Sequence, residues 1–206
     1  MLQFIKRLLT LKSDSDTVRK RLESKYGDMI SIHPTVRLEN FDLEIRGITQ
    51  GKSRFVVGEG SVISGRFVLE DRDSTILIGS NTFIGGGLFI SLREIIIGSD
   101  VMFSWGCTVI DNDAHSLVSA ERLQDVALWK SDLEAGQPGK NKDWSKVSCQ
   151  SVSVSDKSWI GFNSIILKGV QLGEGCVVGA GSVVTASFES FTLIAGNPAR
   201  IIRKTE

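Results

Sequence analysis

The chain carries two histidines, His33 and His115, and the second sits among groups able to do chemistry. His115 ends the run Ile110-Asp111-Asn112-Asp113-Ala114-His115, which gathers an imidazole, two carboxyls and a carboxamide. An imidazole changes charge near neutral pH, so it can take a proton from a weak nucleophile such as a hydroxyl and return it later. Such a base needs its second ring nitrogen held. Asp111, Asn112 and Asp113 are the nearest groups in sequence for that task. Neighbouring side chains of an extended chain point to opposite sides, so one or two of the three can face the ring. Asp113 or Asp111 could instead bind hydroxyls of a substrate, and all three residue types also form turns. His33 precedes Pro34 and reads as a turn residue without a chemical task.

The elements that must position His115 repeat in sixes. From residue 159 to 188 an aliphatic side chain returns every sixth place: Ile160, Ile166, Leu172, Val178 and Val184. Gly follows at Gly161, Gly173 and Gly179, and a small residue holds the fifth place at Ser164, Val170, Cys176 and Ser182. A period of six fits neither a helix nor an ordinary strand. It predicts a parallel β-helix, in which about 18 residues make one coil of three short strands. The aliphatic residue points inward and Gly supplies the turn. Looser hexads start at Val57, Ile63 and Leu69, then at Ile78, Ile84 and Ile90, then at Ile97, Phe103 and Val109. The repeat stops after Val109 and resumes near Val154. Residues 111–151 are therefore expected as one long loop thrown out from a corner, and a loop of that length in a compact domain is usually functional or disordered. Its tryptophans, Trp129 and Trp144, offer aromatic faces for a substrate.

Three parts follow. Residues 1–28 are expected as a helical segment, 29–200 as the β-helix carrying the extruded loop, and 201–206 as a basic tail. Within the first part, Phe4, Ile5, Leu8 and Leu9 make an apolar helical face among Lys6, Arg7 and Lys12. It suits packing on the column or on a neighbouring subunit, or weak contact of residues 1–12 with an anionic membrane surface. Asp14 or Asp16 could cap a second helix with Val18, Leu22 and Tyr26 aligned, and Gly27 would stop it.

Composition narrows the partners. The 206 residues carry 24 basic and 24 acidic side chains, so a general nucleic-acid binder is disfavoured. Gly is frequent at 21 and Pro scarce at 3, as a turn-dense repeat requires. The three cysteines have no paired spacing. Cys107 and Cys176 read as buried wall residues and Cys149 as a loop residue, which fits a reduced, cytoplasmic protein. Charged residues interrupt the first apolar stretch, so neither a signal-peptide core nor a membrane span is expected.

The chain resembles the hexapeptide-repeat acyltransferases, especially the maltose/galactoside O-acetyltransferase-like branch. Trp159-Ile160-Gly161, Gly179-Ala180-Gly181-Ser182-Val183-Val184-Thr185 and Gly196-Asn197-Pro198-Ala199-Arg200-Ile201-Ile202-Arg203 carry the resemblance. It implies a mainly β fold, a left-handed parallel β-helix with short N-terminal helices. The handedness comes from the resemblance alone, since crossovers are ordinarily right-handed. The resemblance further implies a homotrimer with acetyl-CoA in grooves between columns. His115 would be the general base for attack of a sugar hydroxyl on the thioester, with Asp113 and Asp111 beside it. Trp159, Gly161, Ala180 and Thr185 would line the pantetheine arm. Asn197, Pro198, Arg200 and Arg203 would lie near the adenine and phosphates. A backbone N–H of a coil turn is expected to steady the thioester oxygen.

The same residues would serve an amino-sugar N-acetyltransferase or a streptogramin-type drug acetyltransferase. A silent β-helix scaffold is the non-enzymatic alternative. A hexapeptide zinc enzyme of the γ-carbonic-anhydrase kind needs three histidine ligands, and the chain has two histidines. No metal site is expected.

Overall fold

The computed structural model describes residues 15–47 and 52–206. The apolar face expected within residues 1–12 and the cap at Asp14 lie outside those residues. What it describes is a column of short strands whose successive coils pair in parallel. One face stacks Ile30–Ile32, Phe55–Val57, Thr75–Ile78, Glu94–Ile97, Val152–Val154 and Gln171–Leu172 in that order. A second runs from the start of Val62–Leu69 through Phe83–Ile84, Met102–Phe103, Trp159–Ile160 and Val177–Val178 to Thr192–Gly196. The third runs from the end of Val62–Leu69 through Gly87–Ser91, Cys107–Ile110 and Ile165–Ile166 to Val183–Val184.

The period of six explains this stacking. Ile160, Ile166, Leu172, Val178 and Val184 all point into the hollow, and each is buried. Each such side chain contributes about 1.5–3 kcal/mol by leaving water. Val57, Ile78, Ile97 and Val154 stand in register with Leu172 along the first face, and Ile63, Ile84 and Phe103 with Ile160 along the second. Cys107 and Cys176 are buried wall residues, as their place in the repeat predicts.

The third face departs from the hexads. Phe89, not Ile90, stands opposite Val109, so the step from Ile84 is five residues rather than six. Phe67 in turn stands opposite Phe89, and Leu69 falls one pleat further on, opposite Ser91. Glycine makes the shorter corner feasible. Gly87 has φ +155°, and a Cβ there would lie 2.1 Å from the carbonyl oxygen of Cys107. The gain is an aromatic ladder through the interior: Phe41 to Phe67 at 5.3 Å between ring centroids, Phe67 to Phe89 at 4.8 Å, and Phe89 to Phe103 at 5.4 Å.

Residues 15–26 are helical and close the open end of the column, with Leu22 and Tyr26 buried against it. Tyr26 donates to the carbonyl of Leu43 at 2.8 Å, and Gly27, at φ +54°, stops the helix. Asp16 lies inside the helix and pairs with Arg19 at 3.2 Å. At the other end, the residues read as a basic tail form a strand. Ala199–Lys204 folds back antiparallel on Thr192–Gly196 and covers the last coil.

The interruption after Ile110 is an ordered arm rather than a bare loop. It holds the short helices Ser119–Arg122 and Asp125–Glu134 and the 3-10 turn Trp144–Lys146. Its neck is stitched by backbone bonds from Asp113 N–H to Ser148 and from Gln150 N–H to Asp111, at 3.0 and 2.8 Å. Asp111 is the anchor of this neck and does not stand beside His115, contrary to what its place in the sequence predicts. The residue is fully buried. Its carboxylate accepts from the N–H groups of Leu92, Arg93 and Glu94, the hydroxyl of Ser91 and the amide of Asn112, at 2.7–3.0 Å. Five donors leave it no capacity for an imidazole or a substrate.

Two substitutions test this account by chemical denaturation. Phe89→Ala should destabilise the fold by about 3–5 kcal/mol, as emptied aromatic core positions do. Asp111→Ala strands several buried donors and should lower stability by at least about 3 kcal/mol. An unchanged midpoint for Asp111→Ala would show that the neck does not depend on it.

Candidate active site

The turn that presents His115 grows directly from the anchor. The side-chain amide of Asn112 donates to Asp111, and its carbonyl oxygen accepts from the N–H of Ala114 at 2.8 Å. The N–H of His115 donates to the carbonyl of Asp113 at 2.6 Å. Ala114 is thereby held at φ +59°, a left-handed conformation that disfavours any residue with a Cβ by roughly 1–2 kcal/mol. The strain is local to the residue that aims the imidazole outward. The His115 side chain is 54% exposed, so the ring stands at the surface of the neck.

Sequence proximity picked the wrong holder for the ring. Nδ1 of His115 lies 2.5 Å from Oδ2 of Asp125, the first residue of the arm helix Asp125–Glu134. A carboxylate only accepts, so this contact puts a ring proton on Nδ1, and in the neutral ring Nε2 is then the nitrogen free to take one. Nζ of Lys142 lies 3.7 Å from the same Asp125 oxygen and donates to the carbonyl of Ala114. Its 3.4 Å approach to Nδ1 is proximity rather than a bond, because both atoms then carry hydrogen. Lys142 is only 8% exposed and sits 4.7 Å from the ring centroid of Trp144, which fixes its position. No signal near His115 in sequence points to Asp125. The available clue is the run Asp125–Glu134 itself, which lacks Gly and Pro and opens on an acid, as a helix start does.

Asp113 faces another way. Its Oδ1 pairs with Nζ of Lys168 at 2.5 Å, tying the arm to the next coil, while Oδ2 is buried without a partner. Asp113 therefore neighbours His115 in the chain but does not hold its ring.

The arm helix leans over the column and encloses a cleft of about 500 Å³ with His115 and Asp125 on its lining. Trp129 and Trp144 line it too, together with Val126, Leu133 and Glu70. The buried cysteines take no part. Burial pushes the thiols of Cys107 and Cys176 above the usual range, which keeps them protonated and unreactive.

The residues assigned by resemblance to a cofactor fall into two groups. Gly161 and Ala180 share the corner between the second and third faces. They are so close that a Cβ on Gly161 would lie 2.6 Å from the backbone nitrogen of Ala180. Trp159 is half exposed beside that corner, with its Nε1 3.4 Å from Oγ of Ser104. The turn at Asn197 and Pro198 joins the same corner, since the N–H of Gly196 donates to Ser182 at 3.1 Å. Arg200 and Arg203 are exposed on the closing strand, and neither has a carboxylate partner among the described residues. Thr185 follows Val184 at the other end of the third face, in the corner that also holds Lys168 and the neck of the arm. Within one column the first group and His115 thus lie at opposite edges of one face. No group of three or more metal-ligating side chains occurs among the described residues.

Residues 151–186 match a family model described as the hexapeptide repeat of succinyl-transferase. The chain is 36% identical over 118 residues to a Schizosaccharomyces pombe protein named as an acetyltransferase, covering 57% of this chain and 47% of that one. It is 29% identical over 114 residues to an Escherichia coli protein named as a lipopolysaccharide biosynthesis O-acetyl transferase, covering 55% and 52%. The chain spans about half the length of these curated relatives. Among solved structures, an N-acyltransferase from Bacillus cereus in complex with dTDP and coenzyme A superposes with a TM-score of 0.65 at 19% identity, over 91% of this chain and 89% of that one. The resemblance to hexapeptide-repeat acyltransferases read from the residues therefore holds in repeat, relatives and architecture, and the column is the left-handed parallel β-helix of that fold.

Proposed function

We propose that this chain is an acetyl-CoA-dependent O-acetyltransferase that acylates a hydroxyl of a sugar or polysaccharide precursor. The observation that carries the reading is the imidazole of His115, held at Nδ1 by Asp125 on the edge of a cleft with aromatic walls. A hydroxyl bound there gives its proton to Nε2 as its oxygen attacks the thioester carbon. The tetrahedral intermediate then collapses, the carbon–sulfur bond breaks, and the proton returns to the departing CoA sulfur. Asp125 stabilises the imidazolium formed between the two steps. No covalent acyl-enzyme is required, in keeping with thiols that burial holds protonated.

The donor would lie along the corner built by Trp159, Gly161 and Ala180, where small residues let a pantetheine arm approach backbone N–H and C=O groups. Asn197 and Pro198 would extend that track, whereas Thr185, at the far edge of the face, would meet a donor held by the corner of a neighbouring column. Arg200 and Arg203, exposed and without acid partners, suit phosphate oxygens. His115 and this corner lie on opposite edges of a face, so one column cannot bring donor and base together. Two columns side by side can, which is the physical case for a homotrimer with sites between subunits. The name of the E. coli relative supports a saccharide acceptor. No helix among the described residues is long and apolar enough to cross a membrane.

Two variants test this, with thiol release from acetyl-CoA as the readout. His115→Ala should lower kcat by roughly 10²–10⁴ with little change in Tm, because the side chain is half exposed. Unchanged turnover would remove the imidazole from the mechanism. Ala180→Trp should fill the donor corner and raise the KM for acetyl-CoA while leaving the fold intact; a donor KM indifferent to it would put the cofactor elsewhere.

A further inference from the structure

The cleft beside His115 contains a carboxylate with no task in the mechanism above. Glu70 sits at the end of the column strand Val62–Leu69 and lines the cleft opposite the arm. Its side chain is 11% exposed. One oxygen, Oε2, accepts from Nη1 of Arg46, while Oε1 has no hydrogen-bond partner among the described residues. Arg46 is itself fixed: its Nε donates to Glu44 at 2.8 Å, and its guanidinium lies 5.0 Å from the ring centroid of Trp129. The column thus grips the arm through Arg46 and holds Glu70 rigidly beneath it. Burial pushes the Glu70 carboxyl above the usual range, and Arg46 opposes that shift.

The remaining walls define what can lie there. Trp129, Trp144, Val126 and Leu133 make the cleft mainly apolar. Its charges are already matched: Glu70 with Arg46, Asp125 with Lys142, and Lys130 with Glu134 at 3.8 Å. A phosphorylated ligand would set its charge beside the carboxylates of Glu70 and Asp125, and a wholly apolar ligand would bury a carboxylate oxygen without a donor. A neutral pyranose satisfies both limits. Its C–H face lies on indole while an edge hydroxyl donates to a carboxylate.

We propose that Glu70, with Trp129 and Trp144, forms the acceptor subsite, and that it selects an uncharged pyranoside by taking one of its hydroxyls on Oε1. This rests on the acetyltransferase reading and specifies its acceptor. Glu70 is a specificity residue here, distinct from the proton-transferring His115.

The test follows thiol release from acetyl-CoA by the full chain, with methyl α-glucopyranoside, methyl α-rhamnopyranoside and glucose 1-phosphate as acceptors. At least one methyl glycoside should accelerate release over the acceptor-free rate, and the phosphate should not. Glu70→Gln should raise the glycoside KM at least about tenfold, the lower end expected for a lost charged hydrogen bond, with the acetyl-CoA KM unchanged. Because Glu70→Gln also loosens the grip on Arg46, Trp144→Ala reads the same subsite from the arm and should raise the glycoside KM as well. A purely structural Glu70 would instead lower Tm and kcat and leave the glycoside KM alone, which overturns the proposal. So would acceleration by glucose 1-phosphate equal to that by the glycosides, or by neither glycoside. His115→Ala separates the two readings: if it abolishes transfer while Glu70→Gln leaves the glycoside KM unmoved, only the subsite falls.

Discussion

Everything in this protein depends on parallel coils stacked strand on strand, with one inward side chain per face. Such a column tolerates almost no variation along its strands. An extra residue within a short strand would turn an apolar side chain outward and a polar one into the hollow. Corners are freer, because the chain there leaves one ladder before joining the next. The molecule uses that freedom at several corners. At Gly85-Gly86-Gly87 a corner is shortened by one residue, and after Ile110 a corner opens into an arm of about 40 residues, a length rarely left without a task.

Opening a corner exposes backbone groups that the ladder would otherwise pair, and this explains why the neck is so densely bonded. Asp111 gathers five donors, Asn112 bridges to Cys149, and Lys168 of the next coil grips Asp113. The arm has little apolar core of its own. Its helix exposes Val126 and Leu133 while burying Asp132, which accepts from Asn141 at 2.6 and 2.9 Å. Polar latches and the Arg46–Trp129 contact therefore set where the arm lies, and with it the distance from Asp125 to His115. The His115–Asp125 pair is fixed by charges and hydrogen bonds on the arm, whereas the fold is fixed by burial in the column.

That division explains what could be read from the residues alone. The column was legible because inward positions recur at a fixed interval and permit few residue types; Ile160 through Val184 needed only counting. The switch from Ile90 to Phe89 was hidden because both are apolar, and only the pairing of Gly87 with Cys107 reveals the shortened corner. His115 was legible because it stands where the repeat breaks. Its partner was not. Asp125 meets it through the tertiary path of the arm, and Glu70 belongs to an earlier coil that reaches the cleft by register. Asp111 was misread for a related reason: a carboxylate two positions from another polar group looks available in a sequence, while its burial and its five donors belong to the folded neck.

The same geometry bears on assembly. The third face is narrow, and His115 emerges at one of its edges while Gly161, Ala180 and the Asn197–Pro198 turn mark the other. A reaction that needs both edges cannot be completed on a face that separates them, however the arm moves, because the coils between are locked by the ladder. The outward side chains next to the second edge are unusually apolar for a surface: Phe83, Met102 and Trp159 stand in register up the column, each about half exposed. A stripe of that kind is costly in water and complementary to a flat neighbour. Bringing a second column against it would cover the stripe and set the Gly161–Ala180 corner of one chain beside the arm of another. Chemistry and burial thus favour the same arrangement, and both trace back to a column too rigid to fold its own two edges together.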